Sequence, residues 1–140
     1  MPEATFYQLA DSAHEPTAQL QTVCRVVHKA YLLAGRASVL CSSEALAKRL
    51  DDLLWTFNQG SFIPHMLAPS DEAVVLATDL ALLPDDRDLI LMVDTLPDGM
   101  QRFAQVRDFI MPDRKDQARQ RYRQLKQIGF NLTVHDLSEN

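Results

Sequence analysis

Ala4-Thr5-Phe6-Tyr7-Gln8-Leu9, an amphipathic run over residues 17–34, and Ser38-Val39-Leu40-Cys41 follow one another as strand, helix and strand, and this order decides the fold. The first segment is rich in the β-branched and aromatic residues that suit a pleated surface. In the second, Leu20, Val23, Val27, Ala30, Tyr31 and Ala34 recur at intervals of three and four, which places them on one helix face. Gly35 follows at the stop position, where a left-handed backbone costs least. The third is a short apolar run of the kind buried on both sides.

The alternation continues toward the C-terminus. Ser42 and Ser43 can cap a helix over residues 44–57, with Ala45, Leu46, Leu50, Leu53 and Leu54 inward. Asn58-Gln59-Gly60 ends it, and Ser61-Phe62-Ile63-Pro64-His65 is extended. Pro64 supplies no ladder donor, so this segment belongs at an edge or in a loop. Residues 73–78, 88–93 and 106–111 are three further strands, separated by the turns Leu83-Pro84-Asp85-Asp86 and Leu96-Pro97-Asp98-Gly99. Pro112-Asp113 opens a strongly basic helix that runs to about Ile128 and stops at Gly129. No repeat or linker interrupts the pattern. The expectation is a single three-layer α/β domain over residues 1–140, with a mainly parallel sheet, helices on both faces and right-handed crossovers.

Size and charge narrow the function. A chain of 140 residues buries enough surface for a core without disulfides or a structural metal. Its longest apolar runs, 80–83 and 89–93, fall far short of the ~18 residues of a bilayer span, so no membrane association is expected. No basic segment precedes an apolar one at the start, so no signal peptide is expected and the cytoplasm is the expected compartment. Cys24 and Cys41 are too few for a disulfide framework or a zinc site. A net charge of −5 argues against nucleic acid as the main partner. The charge is unevenly spread, however. Residues 112–126 carry six cations against two anions, while the other 125 residues carry eight against seventeen. An acidic body with one basic helix suits the capture of something small and acidic.

Most chemically suggestive motifs fail on spacing. Leu89-Ile90-Leu91-Met92-Val93-Asp94 has the form of a magnesium-holding strand, which would make Asp94 the centre of a small nucleotide- or phosphate-metabolising enzyme. That chemistry needs a glycine-rich phosphate loop, and Gly35, Gly60, Gly99 and Gly129 lie too far apart to form one. Asp51 and Asp52 point about 100° apart on a helix and cannot converge as an acid–base pair. Asp85 and Asp86 are turn residues. His14, His28, His65 and His135 show no ligand spacing, so neither a metal nor a cofactor is expected. Cys24 on an apolar helix face and Cys41 at the end of a buried strand read as core residues.

Two features survive. On the basic helix, Lys115, Arg119, Tyr122 or Arg123, and Lys126 recur at three and four and form one stripe, with Ala118, Leu125 and Ile128 on the other side. A row of cations beside an aromatic ring suits a carboxylate with an adjoining apolar side chain. A single aromatic offers little stacking for single-stranded DNA. The second feature is the cluster of Trp55, Phe57, Phe62, Pro64, His65 and Met66 around a chain break, a composition enriched at protein interfaces.

Taken together, Ala4-Thr5-Phe6-Tyr7 with Leu9, Leu50 and Leu54-Trp55, Ser61-Phe62-Ile63-Pro64-His65 with Leu67-Ala68, and Ala118-Arg119 with Arg121-Tyr122-Arg123 and Gly129-Phe130-Asn131-Leu132 resemble the chi subunit family of bacterial DNA polymerase III. The resemblance spans nearly the whole chain. It implies a fold like the nucleotide-binding α/β domains but lacking a phosphate-binding loop. It further implies a non-catalytic accessory subunit of the clamp loader, acting in the replisome at the nucleoid. Such a subunit pairs with the psi subunit, binds the acidic C-terminal tail of single-stranded-DNA-binding protein, and meets DNA only indirectly. Carried over by position, tail binding falls on Lys115, Arg119, Tyr122 and Arg123 with Gly129 nearby. Psi binding falls on Trp55, Phe62, Pro64 and His65. Residues 68–88 are shorter and more hydrophobic than the family pattern, and residues 136–140 are acidic.

Overall fold

Alternating apolar side chains on a strand give each face of a sheet its own core, and here both faces are covered. The computed structural model describes residues 1–58, 60 and 62–137. Seven strands, β1 (Glu3–Gln8), β2 (Ala37–Cys41), β3 (His65–Leu67), β4 (Val74–Ala77), β5 (Asp88–Met92), β6 (Gln105–Ile110) and β7 (Asn131–Asp136), form one sheet. Its order is β3-β4-β2-β5-β6-β1-β7, and every neighbouring pair is parallel. Helices α1 (Pro16–Ala34), α2 (Glu44–Thr56) and α3 (Lys115–Gln127) provide the crossovers, together with two short turns at Leu80–Leu82 and Met100–Arg102.

The pleat sorts residues between two cores. Tyr7, Val39, Leu76, Ile90 and Phe109 face α1 and α2, where they meet Val23, Val27, Leu50 and Leu54. Their strand neighbours Phe6, Leu40, Val75, Leu89 and Val106 face the opposite layer, where Leu125 of α3, Leu80 and Met100 close over them. The architecture is therefore the three-layer α/β arrangement, with a sheet that is entirely parallel among the described residues. Local signals behave as their chemistry dictates. Gly35 adopts φ 77° at the end of α1, and the Ser43 hydroxyl accepts the Leu46 N–H at 3.1 Å to start α2.

Four details differ from the sequence reading. β7 was not expected; its side chains are mostly exposed, so it carries no apolar run to betray it. Ala45 and Ile128 are exposed rather than inward, because α2 turns Ala47, Leu50 and Leu54 to the sheet and α3 turns Ala118, Arg121 and Leu125. α3 begins at Lys115, after a turn closed by the Arg114 N–H on the Met111 carbonyl.

Burying Arg121 is the unusual feature of α3. Its guanidinium forks onto Asp108 of β6, Nε to Oδ2 at 2.7 Å and Nη2 to Oδ1 at 3.2 Å, with both side chains nearly inaccessible. The same guanidinium donates to the carbonyls of Asp94 and Phe109. The Phe109 N–H also donates to Asp108. Burial pushes the Asp108 carboxyl above its ordinary range, against the pull of Arg121 and the Phe109 N–H. Arg121→Met strands that carboxylate, and urea unfolding should show a loss of about 3–5 kcal/mol. Asp108→Leu added to it should restore most of the loss; a single variant as stable as wild type would contradict the clamp.

Candidate functional site

Helix α3 presents Lys115, Arg119 and Arg123 on the flank turned away from the clamp. Lys115, Ala118, Arg119, Tyr122 and Arg123 line a cleft of about 260 Å³ with Phe6, Gln8 and Ile110 from the ends of β1 and β6. Tyr122 is half-buried, its ring meeting Phe6 edge to face at 5.4 Å between centroids. Apolar and aromatic surface therefore floors the cleft, and positive charge rims it.

The cations are not equally available. Lys115 Nζ lies 2.8 Å from Asp11 Oδ1, and Arg119 Nη1 lies 3.0 Å from Asp116 Oδ1. The Lys115 ammonium donates to Asp11 and holds its carboxyl below the usual carboxylate range. Among the described residues Arg123 forms no ion pair. An acidic ligand would meet one free cation and displace two exposed carboxylates from the others, an exchange that costs little because exposed pairs are weak.

Of the five residues expected here, the structure gathers Lys115, Arg119, Tyr122 and Arg123. Gly129 is not among the lining residues; it terminates α3 at φ 103°, a backbone that suits glycine. Lys126, on the same stripe, is exposed beyond the cleft. Sequence reasoning missed the floor. Phe6 and Ile110 look like ordinary core residues, and only the sheet register brings them under α3. Of the acidic C-terminal stretch, residues 138–140 lie outside the described residues.

The aromatic cluster sits at the far edge of the sheet. Trp55 and Phe62 are 55% and 66% exposed, with ring centroids 5.8 Å apart, and Met66 and Leu67 of edge strand β3 are exposed beside them. Pro64 is half-buried. His65 is buried instead: its Nδ1 sits 2.7 Å from the Ile63 carbonyl and its Nε2 3.0 Å from the Asp51 carbonyl. Its ring supports Trp55 from beneath at 4.5 Å. Ser61 lies outside the described residues.

Asp94 stands at the end of β5, exposed, with its carboxylate 3.4 Å from Arg114. It lines a cleft of about 290 Å³ at the carboxyl edge of the sheet with Ser42, Arg49, Arg114 and Arg121. No glycine is among the lining residues.

Comparison with known proteins places these features in a family context. The family model described as "DNA polymerase III chi subunit, HolC" matches residues 1–133. The protein named DNA polymerase III subunit chi from Pseudomonas aeruginosa is 30% identical over 98% of both chains. Its namesake from Escherichia coli is 33% identical over 96% of this chain and 97% of its own. That from Haemophilus influenzae is 29% identical over 96% of each.

Nucleophilic chemistry would require an accessible thiolate. Cys24 and Cys41 are both buried, and burial pushes each thiol up to about 12. Neither is ionised near neutrality in the folded protein. A thiol-disulfide reagent at pH 8 should therefore leave both unlabelled until denaturant is added; rapid labelling of either in native buffer would contradict this placement.

Proposed function

The chain belongs to the DNA polymerase III chi subunit family, and on that footing we propose that it is a non-catalytic accessory subunit of the replicative polymerase. In this reading it links the clamp loader, through the psi subunit, to the acidic C-terminal tail of single-stranded-DNA-binding protein. The observation that carries the reading is the convergence of Lys115, Arg119, Tyr122 and Arg123 on one aromatic-floored cleft.

The tail's carboxylates, including its terminal one, replace Asp116 at Arg119 and Asp11 at Lys115 while Arg123 makes first contact. A guanidinium can take a carboxylate with two parallel hydrogen bonds, which fixes its orientation as well as its charge. The apolar side chain of the tail packs against Tyr122 and Phe6. Gly129 contributes by stopping α3. A contact of this size has micromolar affinity, about −8 kcal/mol. Many tails on one coated strand raise the effective concentration without any new contact. Because the cations are exposed, salt screens the attraction over about 10 Å at 0.1 M.

Psi docks on the opposite edge. Trp55 and Phe62 offer large, rigid apolar area next to β3, whose outer backbone edge is unpaired among the described strands, and Pro64 and His65 hold that surface in place.

Two substitutions separate these surfaces. Arg119→Ala should weaken tail-peptide binding several-fold in fluorescence anisotropy at low salt and leave psi binding unchanged; equal affinity would contradict the tail site. Phe62→Ala should abolish co-elution with psi while the circular dichroism spectrum stays native. Continued co-elution would show that the psi surface lies elsewhere.

A further inference from the structure

Among the described residues, nine of the fourteen Lys and Arg side chains are ion-paired, as expected in a protein of net charge −5. Among the described residues Arg25, Lys29, Arg49, Arg123 and Lys126 form no ion pair. Arg25 and Lys29 stand four apart on α1 and are exposed, so they lie one above the other on the same face.

Beneath them runs a trough of about 440 Å³ between α1 and the β1–β7 pair. Tyr7, Leu9, Val26 and Leu137 give it an apolar floor, and His135 lines it beside Tyr7, their ring centroids 5.8 Å apart. Lys29 Nζ reaches to 6.0 Å from the centre of the Tyr7 ring, and an Arg25 Nη2 proton is taken by the Thr22 hydroxyl at 3.0 Å. Tyr7 and Phe6 point to opposite faces of β1, so this trough and the α3 cleft lie on opposite sides of the sheet.

We propose that this trough is a second peptide-docking site, for an extended acidic segment of a partner protein that carries one large aliphatic or aromatic side chain. Arg25 and Lys29, which form no ion pair among the described residues, select carboxylates. The floor accepts a single large apolar group, a volume in the range of small ligand pockets. β7 is an edge strand among the described strands, so its outer backbone can hydrogen-bond an extended chain laid along it. Nucleic acid fits poorly, since two cations neutralise few phosphates and the acidic body repels the rest. The site uses none of the residues assigned to the tail or to psi.

The test uses the full chain, labelled with nitrogen-15, and an acetylated, amidated hexapeptide of Asp and Ser that carries one Phe. Saturable amide shifts are expected at Thr22, Val26, Lys29 and His135. Arg25→Glu with Lys29→Glu should weaken those shifts about tenfold or more, because like charges now meet, while the thermal melt is unchanged. Arg119→Glu with Arg123→Glu, on the other face, should leave them intact. Shifts confined to α3, no saturable shift at millimolar peptide, equal affinity in the Arg25/Lys29 variant, or displacement of the peptide by oligothymidylate would each overturn the proposal. Because the two variants act on opposite faces, failure of this site and failure of the α3 site are read separately.

Discussion

Helix α3 is too polar to dock on a sheet by apolar contact alone. Of its thirteen residues, only Ala118, Arg121 and Leu125 are buried. The Arg121–Asp108 pair supplies what apolar burial does not, and by anchoring one guanidinium it fixes the rotation of the helix about its axis. With about 100° per residue, Tyr122, Lys115, Arg119 and Arg123 share one arc of about 100° on the flank turned away from the anchor. That flank overhangs Phe6 and Ile110, so one inward cation arranges the outward ones.

The sheet then keeps the two candidate surfaces apart. β3 and β1 are five positions apart in the strand order, about 24 Å at the usual strand spacing. The exposed Trp55–Phe62 pair lies beside β3, and the cationic cleft lies over β1 and β6. Ligands at the two surfaces need not compete for space. The proposed tethering of two partners at once requires that separation, and the parallel sheet provides it.

Much of this was legible in the sequence, for identifiable reasons. The strand–helix–strand order of residues 4–41 rests on strong periodicity and a glycine stop, and it reappears as β1, α1 and β2. The stripe on α3 was legible because helical spacing is local. The exceptions all depend on contacts distant in sequence. Arg121 reads as one more solvated charge until Asp108, thirteen residues earlier, is placed beneath it. His65 reads as part of an exposed cluster, yet two backbone carbonyls and Trp55 enclose it. β7 has alternation too weak to signal a strand, and pairing with β1 alone defines it. Asp11 reaches Lys115 across more than a hundred residues, so the restraint on that cation was invisible to local reading.

The claim that the buried pair sets the geometry of the cleft is open to direct measurement. In a folded variant with Asp108→Leu and Arg121→Met, every residue lining the cleft is retained while its anchor is gone. Isothermal titration calorimetry with the acidic tail peptide should then show several-fold weaker binding than wild type. Unchanged affinity in that variant would mean that the cations find their positions without the clamp, and the account would be wrong.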